Sequence, residues 1–141
     1  MKTNNSMQYI KTAIATFFLV TATSCEKPAG PGGMATIKGR VFAHDFDNTQ
    51  RYDLFQSYTS DEKVYIMYGN NNVVGDNVHT SADGSFEFRY LTKGHYKIFV
   101  NSLDTSIKGQ KGVDKMNPVI KEVDITDKKQ VVNVGDIIIN I

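Results

Sequence analysis

Residues 80–100 read TSADGSFEFRYLTKGHYKIFV. Asp83-Gly84 is a hairpin turn signal, because glycine supplies the positive φ that a tight turn demands. After it Phe86, Phe88 and Tyr90 alternate with Glu87 and Arg89. A period of two puts the three rings on one face of a strand, directed inward. Lys93-Gly94 makes a second turn, and Tyr96, Ile98 and Val100 then alternate with Lys97 and Asn101. Two half-buried strands joined by tight turns need further strands to cover their apolar face.

Those strands are found on either side. Thr36–His44 alternates Ile37, Val41 and Ala43 against Lys38, Arg40 and His44, and Lys63–Tyr68 (KVYIMY) is a nearly continuous apolar run suited to a central strand. Asn77–Ser81 precedes the Asp83-Gly84 turn. Val119–Ile125 and Gln130–Val134 flank a turn at Thr126-Asp127-Lys128-Lys129, and Ile137, Ile139 and Ile141 end the chain as one stripe. No window carries apolar residues at helical spacing over ten or more positions. The expectation is an all-β domain, a single antiparallel sandwich of seven or eight strands. Two long connections stand out, Asp45–Glu62 and Leu103–Pro118. Each is expected to bind something, to carry a short strand, or merely to cap an end of the sandwich.

The start of the chain reads differently. Lys2 and Lys11 lie in a carboxylate-free opening, and residues 12–24 (TAIATFFLVTATS) carry no charge. Thirteen residues make about 20 Å of helix, too short for a stable membrane span. A basic start, a short apolar run and small residues at its end describe a secretory signal peptide. The run ends at the one cysteine of the chain, in Ala22-Thr23-Ser24-Cys25. This resembles a bacterial lipobox, in which the cysteine becomes the acylated first residue. Lipid on Cys25 would give a firm anchor, since each buried CH₂ contributes about 0.8 kcal/mol. Residues 1–24 are then the lipoprotein signal peptide, residues 25–35 (CEKPAGPGGMA) a Gly/Pro-rich tether reaching up to about 35 Å when extended, and residues 36–141 the domain. Without Lys2 and Lys11 the net charge of the 141-residue chain moves from +1 to −1, so no basic field invites nucleic acid.

The spacing resembles the carboxypeptidase regulatory-like domain, of the transthyretin-like and collagen-adhesin B-type superfamily. The pattern is Gly39-x-Val41, Val64-x-Ile66, then Thr80-x-x-Asp83-Gly84-x-Phe86-x-Phe88-x-x-Leu91-x-x-Gly94-x-Tyr96-x-Ile98-x-Val100, closed by Val123-x-Ile125 and Asp136-Ile137-x-Ile139. The resemblance implies an Ig-like or prealbumin-like sandwich and a non-catalytic accessory or stalk module. Together with the lipobox it is similar to small lipoproteins of Bacteroidetes-type bacteria, which sit in the outer membrane on its cell surface or its periplasmic face. The hydroxyisourate hydrolases of the superfamily end in Tyr-Arg-Gly-Ser. This chain ends DIIINI, and His44, His79 and His95 fall near different strand ends or turns.

The remaining chemistry is sparse. One cysteine and three scattered histidines make neither a disulfide framework nor a zinc site. The resemblance to collagen-adhesin B-type domains implies a possible Lys–Asn isopeptide, which here would fall to Lys38 and Asn140. The Glu those domains carry in the strand after the Gly-x-Tyr turn is replaced by Val100 and Asn101, so with no acid to shuttle the proton no crosslink is expected. Asp45, Asp47, Asn48 and Asp53 lack the spacing of a calcium loop. No catalytic residue, metal site or cofactor is expected. Tyr52, Phe55 and Tyr58, in the first long connection, form a possible ligand-stacking set. The function expected is a non-enzymatic, lipid-anchored envelope protein that presents its sandwich to a protein or envelope partner. The rival is a carbohydrate-binding accessory module of a polysaccharide-uptake system.

Overall fold

A computed structural model describes residues 27–46, 53–105 and 115–141. The signal peptide, Cys25, Tyr52, Asp47 and Asn48 lie outside the described residues. Those described form eight strands and no helix: β1 (Pro31–Phe46), β2 (Asp53–Tyr58), β3 (Lys63–Tyr68), β4 (Val74–His79), β5 (Ser85–Leu91), β6 (Gly94–Leu103), β7 (Met116–Ile125) and β8 (Val131–Asn140). They make two four-stranded sheets, and the all-β sandwich expected from the alternation is what the chain adopts.

The first sheet is built on β1. One edge of β1 pairs with β8 from Thr36 to His44. The other edge pairs with β5 up to Arg40 and with β2 from Phe42 onward. The second sheet has the order β4-β3-β6-β7 and is antiparallel throughout. One pairing departs from the antiparallel expectation: β1 and β8 run parallel. Parallel neighbours need a long crossover, and for the first and last strands the whole intervening chain supplies it.

The core lies between the sheets. Ile37, Val41, Phe86, Phe88, Leu91, Ile137 and Ile139 come from the first sheet and Val64, Ile66, Tyr96, Ile98, Val100 and Ile125 from the second, all buried. Each such side chain withdrawn from water contributes about 1.5–3 kcal/mol. The Asp83-Gly84 turn forms as its residues dictate. Gly84 has φ 76°, and the Asp83 carboxylate accepts the Ser85 N–H at 3.1 Å and the Ser85 hydroxyl at 2.6 Å.

Several expectations are refined or corrected. Tyr90 does not face inward with Phe86 and Phe88; it is 68% exposed. Its φ of 60° interrupts the alternation, so Leu91 takes the inward place. Of the alternatives for the Asp45–Glu62 connection, the short strand is what forms: β2 lies inside it and pairs with Phe42–Phe46 of β1. The strand starts earlier too: β1 begins at Pro31, inside the segment read as tether. Its backbone there passes so close to β5 that a Cβ on Gly33 would stand 1.9 Å from the Leu91 carbonyl oxygen. The lower strand boundaries also spread, with β7 starting at Met116 and the two strands expected over 130–141 merging into β8 around a bulge at Gly135 (φ 71°).

Candidate functional site

Phe55 and Tyr58 both sit on β2, opposite Asp45 and Phe42 of β1. Positions three apart on a strand point to opposite faces, so the two rings do not share a platform. Phe55 is 64% exposed. Tyr58 lies on the outer face of the first sheet and is enclosed by neighbours. The Arg40 guanidinium carbon stands 3.4 Å from the ring centroid, a cation–π contact. Phe42 meets the ring edge-on at 5.2 Å. The phenol donates to Asp136 Oδ2 at 3.1 Å. Phe42 also meets His44 edge-on at 5.7 Å, which makes a cluster of three rings that the spacing of the sequence did not reveal. Alternate residues of β1 (40, 42, 44) carry its signal.

Beside the cluster runs an open groove of 670 Å³, lined among others by Lys38, Arg40, His79, Glu87, Arg89 and Asp136. Its charges are largely engaged. Arg40 donates from Nη2 and Nε to the Asp83 carbonyl at 2.8 and 3.2 Å. Arg89 meets Glu87 at 2.6 Å, a hydrogen bond that holds the guanidinium pKa above its ordinary value. His79 Nδ1 lies 2.8 Å from Asp61 Oδ1. Ser85 commits its hydroxyl to Asp83. Such a surface can hold a polar ligand by hydrogen bonds and ring contact. Lys38 pairs with Asn133 and Asn140 with His44 in the β1–β8 register, about 20 Å apart along the strands, so they cannot form a crosslink. Among the described residues no group of three or more His, Cys, Asp or Glu side chains could hold a metal ion.

The two ends of the sandwich are unlike. At one end the chain preceding β1 is locked to the turn between β5 and β6. The buried Tyr96 hydroxyl accepts the Gly30 N–H at 3.0 Å and donates to the Thr92 carbonyl at 2.7 Å. The Thr92 hydroxyl donates to the Pro28 carbonyl at 2.8 Å, and its N–H reaches the Gly30 carbonyl at 2.9 Å. Ala29 packs on Gly94, where a Cβ would come within 2.7 Å of it. At the other end Phe46 donates to the Ile141 carbonyl at 2.9 Å, Asn140 donates to the Ser102 hydroxyl at 2.9 Å, and Asp104 donates to the Lys115 carbonyl at 2.7 Å. Those bonds bring the bases of both long connections, 47–52 and 105–114, to the same end.

No family model matches the sequence, and no curated protein matches it. Among solved structures, the chain is similar to a Pseudomonas aeruginosa protein proposed to bind carbohydrate, at 13% identity and a TM-score of 0.46, over 80% of this chain and 92% of that one. It is similar also to (S)-allantoin synthase, at 11% identity and a TM-score of 0.40, over 74% of this chain and 41% of that one.

Proposed function

We propose that this chain is a non-enzymatic binding module of the cell envelope, a carboxypeptidase regulatory-like sandwich anchored in the outer membrane by lipid on Cys25. Its polarity carries the reading. Residues 28–30, just after Cys25, are locked to one end of the sandwich, while both long connections leave from the other. An anchor at one end and long connections at the opposite end suit a module that displays loops to a protein or envelope partner. The family reading is supported by the physical roles of its residues: Asp83 and Gly84 make the turn, Phe86, Phe88, Leu91, Tyr96, Ile98 and Val100 fill the core, and buried Thr80 accepts the Glu62 N–H and donates to the Thr59 carbonyl.

Replacing Cys25→Ala in the full chain tests the anchor. The expected result is loss of fatty-acid incorporation and release from the membrane fraction. An unchanged distribution between membrane and soluble fractions would overturn the proposal. The ring cluster Phe42, His44 and Tyr58, with Arg40 and Asp136 at its edge, favours carbohydrate as a second reading. Retarded migration of the domain in polysaccharide-containing gels, abolished by Phe42→Ala, is its expected signature.

A further inference from the structure

The lock at Pro28–Gly30 sets how far the domain can stand from its anchor. As an unattached tether, residues 25–35 would let the sandwich roam up to about 35 Å from the bilayer. With Pro28 and Gly30 hydrogen-bonded to Thr92 and Tyr96, only Glu26 and Lys27 separate the cysteine from the docked chain. Three residue steps span at most about 10 Å. That is only a few ångströms more than one headgroup layer, about 5–8 Å deep, since the polar regions add roughly 10–15 Å to the hydrocarbon thickness over both leaflets.

We infer that this end of the sandwich rests on the phosphate headgroups of the leaflet that holds the acyl chains of Cys25, so that the domain stands in one orientation. The inference rests on the lipid anchor proposed above. Charge agrees with it. Lys27, Lys128 and Lys129 are exposed at this end and Lys93 is half-buried in the β5–β6 turn. Lys27 and Lys93 line one shallow cleft of 650 Å³ with Asp124 and Thr126. The acids there are Asp124 and Asp127, with Glu122 beside Asp124 and Glu26 next to Lys27 in sequence; His95 meets Asp124 at 2.8 Å and Glu122 at 3.6 Å. The four lysines are matched by nearly as many carboxylates, and what this end offers to headgroups is a cluster of ammonium groups on its turns, in a processed chain that is net negative. Clustered lysines beside a lipid anchor draw a protein onto anionic headgroups, and the attraction falls with salt. The β7–β8 turn that carries Lys128 and Lys129 is itself tightly organised. Gln130 Oε1 accepts the Thr126 and Asp127 N–H groups at 2.7 and 3.1 Å, so the two lysines are presented on a fixed support.

The experiment uses the full lipidated chain in phosphatidylcholine vesicles containing phosphatidylglycerol. Acylation consumes the one native thiol, so a single introduced cysteine takes a fluorophore cleanly. Thr126→Cys reports on the proposed contact end, and Asn117→Cys, exposed at the start of β7, on the opposite end. Lipids with spin-labelled headgroups should quench the label at position 126 several-fold more than the label at 117. Lys128→Glu combined with Lys129→Glu should reduce that ratio, as should raising the salt. Tyr96→Phe, which removes the hydroxyl from the lock, should bring the ratio toward one by lengthening the leash. Equal quenching at both positions, with acyl chains confirmed on Cys25 by intact mass, overturns this inference and leaves the anchor standing. A chain whose mass shows no acyl groups overturns both.

Discussion

Asp83 and Glu62 titrate with opposite consequences. The two hydrogen bonds from Ser85 hold the Asp83 carboxyl below its ordinary value of 3.8. A group with a depressed native pKa stabilises the fold above its unfolded pKa and loses that contribution as pH falls through the native one. Asp83→Asn is therefore expected to lower the urea midpoint at neutral pH, with the deficit against the unsubstituted protein closing below pH 3.8. Burial raises the Glu62 carboxyl above 4.5, opposed by its bond with the Lys63 backbone. Its ionisation opposes folding, so Glu62→Gln is expected to raise the midpoint at neutral pH and lose that advantage as pH falls through the raised value. Denaturation series of both variants across the acid range check the signs. At this scale the sequence was readable where a residue acts on its immediate neighbours, as at Asp83 and Gly84. It was unreadable where the partner is remote. Tyr96 reads as one more inward ring; its O–H finds Thr92 close by in sequence, but the Gly30 whose N–H it accepts lies 66 positions away. The available signal was chemical: a phenol at a core position requires a partner for its O–H.

Gly33 bears on a whole element. Its missing Cβ admits the early part of β1 against β5, with the Leu91 carbonyl oxygen 1.9 Å from where that Cβ would be. The obstacle is backbone and cannot rotate away, so Gly33→Ala is expected to cost about 1–3 kcal/mol and to speed hydrogen exchange at Thr92, whose N–H bonds to Gly30. Exchange and denaturant midpoint, measured together, check it. Unchanged exchange at Thr92 would mean that the pairing tolerates the methyl. Alternation revealed the strands whose inward residues are buried on both sides of a ladder, such as β3 and β6. It missed β2, where Leu54 and Phe55 are adjacent rather than alternating and both remain more than half exposed. A strand held chiefly by backbone bonds to β1 leaves little pattern in its side chains.

The whole molecule must also avoid joining its neighbours through open edges. β7 is an edge of the second sheet, with Met116 and Ile120 exposed. In its register Lys121 stands opposite Ile98, on the inward side, yet remains exposed. A charge turned inward on an edge strand makes strand-to-strand docking costly. Lys121→Ile is expected to produce concentration-dependent dimers or larger species in sedimentation velocity runs where the unsubstituted domain stays monomeric; a monomer at every concentration would place the protection elsewhere. Pro118, which cannot donate to a further ladder, guards the same edge.

The parallel pairing of β1 with β8 carries a consequence in time. During synthesis β1 is among the first parts of the domain to emerge, and β8 is the last. Until Ile137 and Ile139 arrive, one flank of β1 has no partner and Ile37 and Val41 lack part of their cover. Contacts between segments so distant in sequence form late and slowly. A nascent or C-terminally truncated chain is therefore kept open along its longest strand, and the sandwich shuts only when its final residues have been delivered.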